Sequence, residues 1–320
     1  MIKPVFIVSL PRAGSTLLQR LIMGHPTIAS CGEPWVALPL VYMLKNKGTI
    51  AEYGHHSAAC SIESFVEGLP NGQDDYWSAV ARFLSDLYAL KAFDGATHFI
   101  DKTPRYYKIL PEIRKIFPES PIFLLVRNPL GVFASMLNFM KGDLRYLPMW
   151  KNDWMEGHDR MAEAMESSDK KFHVVRFESL LKDPPTTLTE LMRTLELEYV
   201  PSQMDELMER QLNRGDPTGS TLYKHINTAP LNSWRGTINS PAKKRLALNW
   251  LRDLPDDIWI ALGYDKSVVI KDLQEHIPGK SYNVKDTLNW LIGSFYFSSG
   301  IHLLKKVRKG TFTKHRPFYN

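Results

Sequence analysis

Eight consecutive residues, Ser9-Leu10-Pro11-Arg12-Ala13-Gly14-Ser15-Thr16, place one glycine, three hydroxyls and one cation between an apolar run and a helical pattern. A loop of this kind, closing a strand and opening a helix, aims several backbone N–H groups at one point, so the chemistry it offers is anion binding. Its spacing matches the nucleotide loop G-x-x-x-x-G-K-[ST] with Ser9 at the first glycine, Gly14 at the second, Ser15 where lysine belongs and Thr16 at the hydroxyl position. The triphosphate-binding lysine is therefore absent, and Arg12 brings the cation into the loop as a planar fork of donors. On its own the stretch reads equally well as a plain helix start capped by Ser15 or Thr16.

The lysine matters because ATP chemistry neutralises the β and γ phosphates with that side chain and with Mg²⁺. A loop carrying only arginine suits a nucleotide with less charge in one place. The sulfated nucleotide 3'-phosphoadenosine-5'-phosphosulfate (PAPS) has one 5'-phosphate and a sulfuryl group, and needs no metal at that position. Arg127 and Ser135 occupy positions compatible with contact to a second anion. Arg127 follows the apolar run 122–126, at the carboxyl end of a strand where open α/β sheets bind ligands, and Pro129 starts the next helix. Ser135 lies about two turns along, which requires that helix to run beside the anion. Taken singly, Arg127 reads as a strand-end ion pair and Ser135 as helix filler.

These residues need a scaffold, and the hydrophobic pattern supplies one. The runs 5–8, 122–126 and 172–175 read as buried strands, followed by helical stretches at 15–24, 129–141, 184–196, 202–212 and 241–253. The alternation predicts an α/β, P-loop-containing three-layer fold, a central parallel sheet flanked by helices. Residues 44–75 are weakly periodic and read as an insertion or acceptor-facing region. The nearly uncharged run 288–304 is short and interrupted for a membrane span. Leu288, Leu291, Ile292 and Phe295 follow helical spacing, so it reads as an amphipathic helix docked on the body, with contact to a membrane surface or a link to a further domain as the alternatives. The expected division is residues 1–265 for the main domain and 266–320 for this helix and a basic tail or linker.

With two cysteines, Cys31 and Cys60, in 320 residues, neither a disulfide framework nor a cysteine metal cluster is expected. Met1–Pro4 lead directly into a strand without the features of a secretory signal, and the reading is a cytoplasmic protein or one peripheral to a membrane. The net charge is +6, but Lys305, Lys306, Arg308, Lys309, Lys314 and Arg316 account for it; setting those six aside leaves 34 basic against 34 acidic residues. A neutral body argues against a nucleic-acid partner.

The loop SLPRAGSTLLQRLIMGHP, the following CGEP, and RNPLGVFASM together resemble the PAPS-dependent sulfotransferase family, in particular its tyrosylprotein and glycan branch. The resemblance implies transfer of a sulfuryl group from PAPS to an acceptor hydroxyl, leaving adenosine 3',5'-bisphosphate. It implies Arg12, Ala13, Gly14, Ser15 and Thr16 at the 5'-phosphate and Arg127 with Ser135 at the 3'-phosphate. Glu33 is implied as the catalytic general base. Lys102, in Ile100-Asp101-Lys102-Thr103-Pro104, resembles the lysine that reaches the sulfuryl oxygens, and Trp234 with Arg235 in NSWRG resembles the loop closing over the nucleotide. The likeness spans about residues 4–265. Phe177 stands where tyrosylprotein members have tyrosine and Ser233 where they have lysine, which speaks against the peptide-acceptor branch; a glycan hydroxyl is placed first as acceptor, a small-molecule alcohol or lipid second and a tyrosine side chain third. His25 and His98 are less suited as base than Glu33, and Arg105, Tyr106 and Tyr107 read as core or acceptor lining. The rival functions are a P-loop kinase or NTPase and a non-catalytic nucleotide-binding scaffold.

Overall fold

The computed structural model describes residues 2–51, 53–201, 226–277 and 284–303. The expected helix 202–212 and the basic residues beyond 303 lie outside these. Five strands, β1 (Lys3–Ser9), β2 (Ile28–Ser30), β3 (His98–Lys102), β4 (Ile122–Val126) and β5 (Phe172–Arg176), form one parallel sheet in the order β2-β3-β1-β4-β5. β1 therefore occupies the centre, and the loop it feeds opens at the middle of the sheet's carboxyl edge.

The period-two alternation of β1 divides the core between two faces. Val5 and Ile7 join Leu17, Leu21, Phe123 and Leu125 beneath the helices α1 (Ser15–Ile22), α8 (Phe177–Lys182) and α9 (Pro184–Thr194). Phe6 and Val8 join the cluster on the opposite face. That side is covered by α4 (Gln73–Lys91), α5 (Leu110–Ile116), α6 (Pro129–Phe139), α7 (Lys151–Glu166) and the helices at 241–253 and 256–262. The result is the expected three-layer α/β arrangement. The side-chain amide of Gln19 on the buried α1 donates to Ser30 Oγ and to the Cys31 carbonyl, both at 2.7 Å, which fixes the segment after β2 against α1.

Two expectations change. The stretch 44–75 contains α3 (His55–Glu67), which buries only Ala59 and Val66 and so shows little apolar period. The C-terminal apolar stretch does form a helix, Val284–Ser298, packed on a 3-10 helix at Leu144–Trp150 with Trp290 against the core cluster, but the four residues expected to form its docking face point outward. Asp286 and Gly293 are buried, while Leu288, Leu291, Ile292 and Phe295 are exposed. Among the described residues no helix is long and apolar enough to cross a membrane.

Candidate active site

The loop after β1 is shaped by backbone conformations that side chains avoid. Gly14 has φ +109°, and a Cβ there would lie 2.4 Å from two carbons of the Phe177 ring, so only glycine fits. Arg12 also adopts positive φ, at 73°, a strained state for a residue with a side chain. No side chain caps α1, which removes the reading of Ser15 or Thr16 as local caps. The first amides of α1 lack intrahelical acceptors, as at any helix start.

Arg127 faces this loop, the candidate anion cradle. Its guanidinium donates through Nη1 to the Arg12 carbonyl at 3.4 Å and through Nη2 to the Pro230 carbonyl at 3.1 Å, and lies over the Phe177 ring at 4.3 Å. Gly131 gives it room, since a Cβ there would come within 2.8 Å of Arg127 Nε. On α6, residues four apart share a face. Gly131 meets Arg127 and Phe139 meets the Arg12 guanidinium at 4.8 Å, so Ser135 between them lies on the same line along the cradle. The two arginine sites and Ser135, distant in sequence, thus border one region.

Parallel pairing of β3 with β1 and β2 brings a second set of groups there. Lys102 is buried, with its side chain 1% exposed, and its ammonium donates to Glu33 Oε1 at 2.9 Å and to Thr16 Oγ1 at 3.4 Å. A buried ammonium without partners would cost several kcal/mol, about the full desolvation of the ion; Glu33 and Thr16 supply them. Trp35 Nε1 donates to the other carboxylate oxygen of Glu33 at 3.2 Å, from a backbone at φ 59°. The expected site residues Arg12, Glu33, Lys102, Thr16 and Arg127 are therefore in one neighbourhood.

Trp234 is buried against His276, at 5.2 Å between rings, in a short helix that packs on α6 and anchors Thr237 to Asn138 Oδ1 at 3.0 Å. Arg235 departs from expectation: its guanidinium pairs with Asp272 at 2.5 Å on the outer surface and stacks on Trp234.

Of the residues that hold the Glu33 segment, Tyr106 reads from the sequence as core or acceptor lining, and Tyr88, Asp101 and Thr103 are assigned no role there. Asp101, fully buried, accepts from Tyr88 Oη at 2.7 Å, Tyr106 Oη at 2.8 Å and Thr103 Oγ1 at 3.1 Å. Tyr106 Oη and Thr103 Oγ1 in turn accept the amides of Ala37 and Trp35, each at 3.2 Å. Burial pushes the Asp101 carboxyl up to about 6, against the three hydroxyls and Lys102, which pull it down. Tyr106 and Tyr107 are core, and Arg105 is paired with Asp153 at 2.7 Å. His25 accepts the Thr27 amide through Nδ1 at 3.3 Å and His98 is buried, its imidazole lowered to about 4 by desolvation and the nearby Lys3.

The loop after β1, with Arg127 bonded to the Arg12 carbonyl and Lys102 bonded to Thr16, makes a donor-rich set without a lysine at position 15, which suits a phosphosulfate and disfavours a kinase reading.

The comparisons agree. A family model described as the sulfotransferase family matches residues 4–201. The nodulation protein NoeE of Sinorhizobium fredii is 35% identical over 133 residues, covering 41% of this chain and 30% of that protein. A putative protein-tyrosine sulfotransferase of Caenorhabditis briggsae is 23% identical over 274 residues, covering 82% of this chain and 89% of that protein. Among solved structures, a sulfotransferase domain from the curacin biosynthetic pathway shares the fold with a TM-score of 0.54 at 19% identity, over 83% of this chain and 99% of that one. The family match runs from β1 past α9, more than half of the 320 residues, and on that ground the chain belongs to the sulfotransferase family, as an enzyme that takes its sulfuryl group from PAPS.

Proposed function

We propose that this sulfotransferase acts on a glycan hydroxyl, with Glu33 as general base. Bound PAPS supplies an electrophilic sulfur and a phosphate leaving group. Arg12, Lys102 and the amides of Ala13, Gly14, Ser15 and Thr16 are assigned to the 5'-phosphate end, Arg127 and Ser135 to the 3'-phosphate, and Trp234 to the wall of the nucleotide site.

An alcohol is a weak nucleophile at neutral pH, and a carboxylate that takes its proton as the new bond forms contributes about 10²–10⁴-fold. Glu33 has one oxygen on Lys102 and the other on the Trp35 indole, so its orientation is set before any acceptor arrives. Cations fixed where negative charge grows lower the barrier because they need no reorganisation. Lys102 meets that condition, being held between Glu33 and Thr16.

The observation that carries this reading is the contact of carboxylate, ammonium and cradle hydroxyl in one line, Glu33–Lys102–Thr16. The glycan acceptor is supported by the departures from the tyrosylprotein pattern at Phe177 and Ser233, and by the Trp35 indole, 38% exposed beside Glu33, which offers a flat apolar face for a sugar ring.

The test is incubation with sulfur-labelled PAPS and panels of glycans, lipids and peptides. Label is expected on a glycan and is expected to fall by about 10²–10⁴-fold in Glu33→Gln, while adenosine 3',5'-bisphosphate still raises the melting temperature of the variant. Label confined to peptides or lipids refutes the acceptor, and undiminished turnover in Glu33→Gln refutes the base.

A further inference from the structure

The junction of β5 with α8, Arg176-Phe177-Glu178, grips two segments that are distant in sequence. Phe177 lies against the Arg127 guanidinium at 4.3 Å. Glu178, one residue on, accepts the backbone amide of Asn128 through Oε1 at 2.9 Å and the Tyr264 hydroxyl through Oε2 at 2.7 Å. Arg176 donates through Nη1 to the Leu262 carbonyl at 2.7 Å and lies over the Tyr264 ring at 5.4 Å. Leu262-Gly263-Tyr264 is the turn that closes the helix at 256–262, with Gly263 at φ 71° and the Arg176 guanidinium standing where a Cβ would be.

These contacts converge on the peptide that presents Arg127. Asn128 caps α6, its side chain accepting the Leu130 amide at 2.9 Å, so its own amide lies outside the helix and needs an acceptor from elsewhere. Glu178 is that acceptor, and a bond to a carboxylate is stronger than one to a neutral oxygen. Holding the Arg127–Asn128 peptide, which is planar, fixes the direction in which Arg127 leaves the strand. Tyr264 holds the other carboxylate oxygen. Burial and the neighbouring Glu178 push the Tyr264 phenol well above its usual range, so it keeps the proton that it donates.

We infer that Glu178 and Tyr264 are positioning residues for Arg127, and through it for the 3'-phosphate of the nucleotide. The turn at 262–264, beyond the segment 4–201 that the family model matches, holds Glu178, and Glu178 holds the Arg127–Asn128 peptide. The inference rests on the assignment of Arg127 to the 3'-phosphate. A carboxylate near an anion site opposes the anion by its charge, so the two effects of Glu178 differ in sign. Its removal strengthens phosphate binding if charge alone counts and weakens it if Glu178 positions Arg127.

The test is isothermal titration of the full chain and its variants with adenosine 3',5'-bisphosphate and with adenosine 5'-phosphate, which lacks the 3'-phosphate. Arg127→Ala sets the scale and should lower the preference for the bisphosphate by about tenfold or more. Tyr264→Phe should lower it about threefold and Glu178→Ala about tenfold, with affinity for adenosine 5'-phosphate held within about twofold. Glu178→Gln, which still offers an acceptor to Asn128 and a polar partner to Tyr264, should recover most of the loss. In the Arg127→Ala background neither variant should change the preference further. Circular dichroism melting checks folding, and Tyr264→Phe, which deletes one hydroxyl, carries the test if Glu178→Ala does not fold. An unchanged preference in Arg127→Ala refutes the assignment of Arg127 itself. Where Arg127→Ala does lose the preference, three results overturn the inference alone: an unchanged preference in the folded variants, tighter binding of the bisphosphate, or an equal loss of both nucleotides.

Discussion

Replacing Gly14 with alanine is the most direct trial of the cradle. The new methyl group would stand 2.4 Å from Cδ2 and Cε2 of Phe177, and the residue would have to keep φ near +109°. The dihedral costs about 1–2 kcal/mol for an L-residue. Crowding a packed interior adds about 1–3 kcal/mol, and Phe177 has little freedom to yield because it is fully buried under the Arg127 guanidinium at 4.3 Å. The sum, roughly 2–5 kcal/mol, corresponds to a loss of roughly 5–15 °C in melting temperature for a domain of this size. Because Phe177 supports Arg127, the stabilisation that adenosine 3',5'-bisphosphate gives at saturating concentration should shrink as well. Differential scanning fluorimetry with and without that nucleotide measures both quantities. A double variant, Gly14→Ala/Phe177→Leu, should recover the crowding part and leave the dihedral part. A single variant that melts within about 1 kcal/mol of the parent and responds equally to the nucleotide would refute the account of the loop.

Other expectations are narrower. A free aspartate ionises near 3.8, whereas burial lets Asp101 keep its proton up to about 6; its contribution is complete below 3.8 and is lost as pH rises through 6, by up to about 3 kcal/mol. Asp101→Asn should therefore flatten the parent's fall in melting temperature over that interval, and a parallel pair of curves would count against it. His158 has the opposite sign: burial lowers its imidazole from 6.5 to about 4, so stability present above 6.5 is lost as pH falls toward 4. His158→Gln should remove that loss in acid melts, provided Nδ1 donates to the Trp154 carbonyl, 2.6 Å away, as the neutral tautomer requires. Gly293→Ala would set a methyl group against the Arg145 carbonyl and should loosen the helix at 284–298 by about 1–3 kcal/mol, seen as faster cleavage after residue 276 in limited proteolysis; unchanged cleavage would mean the helix does not rest on Arg145.

The sequence showed three strands by their apolar runs, but β5 is an edge strand in which only Val175 is buried and Val174 is exposed, and not the buried strand expected. β4 begins and ends where the run 122–126 does, and β1 and β5 differ from expectation by a residue or two at their ends. β3 carries a weaker apolar signal because two of its five residues, Asp101 and Lys102, are charged and yet fully buried. β2 has three residues, too few for a period to appear. The anion cradle was legible because its donors are consecutive. The Glu33–Lys102–Thr16 contact was not legible from pattern, since it exists only through the pairing of β3 with β1 and β2, and pairing between distant strands leaves no local signature. Trp35 and the Asp101 hub escaped for the same reason. At 284–298 the period was right and the facing wrong, because periodicity reports a stripe and not the side on which the body lies.

The place of β1 in the sheet has a further consequence. Its amides are shielded on both flanks by β3 and β4, while β2 and β5 each have one open edge. Native-state hydrogen exchange should thus be slowest at Val5–Val8 and earlier at the two margins, where opening takes less free energy. The loop proposed to hold the donor nucleotide follows the central strand β1, whereas Glu33 follows the three-residue margin strand β2. On warming, the two halves of the site should part company: the chain would keep its grip on the nucleotide through fluctuations that already carry the carboxylate away from the lysine, and turnover would fade before affinity does.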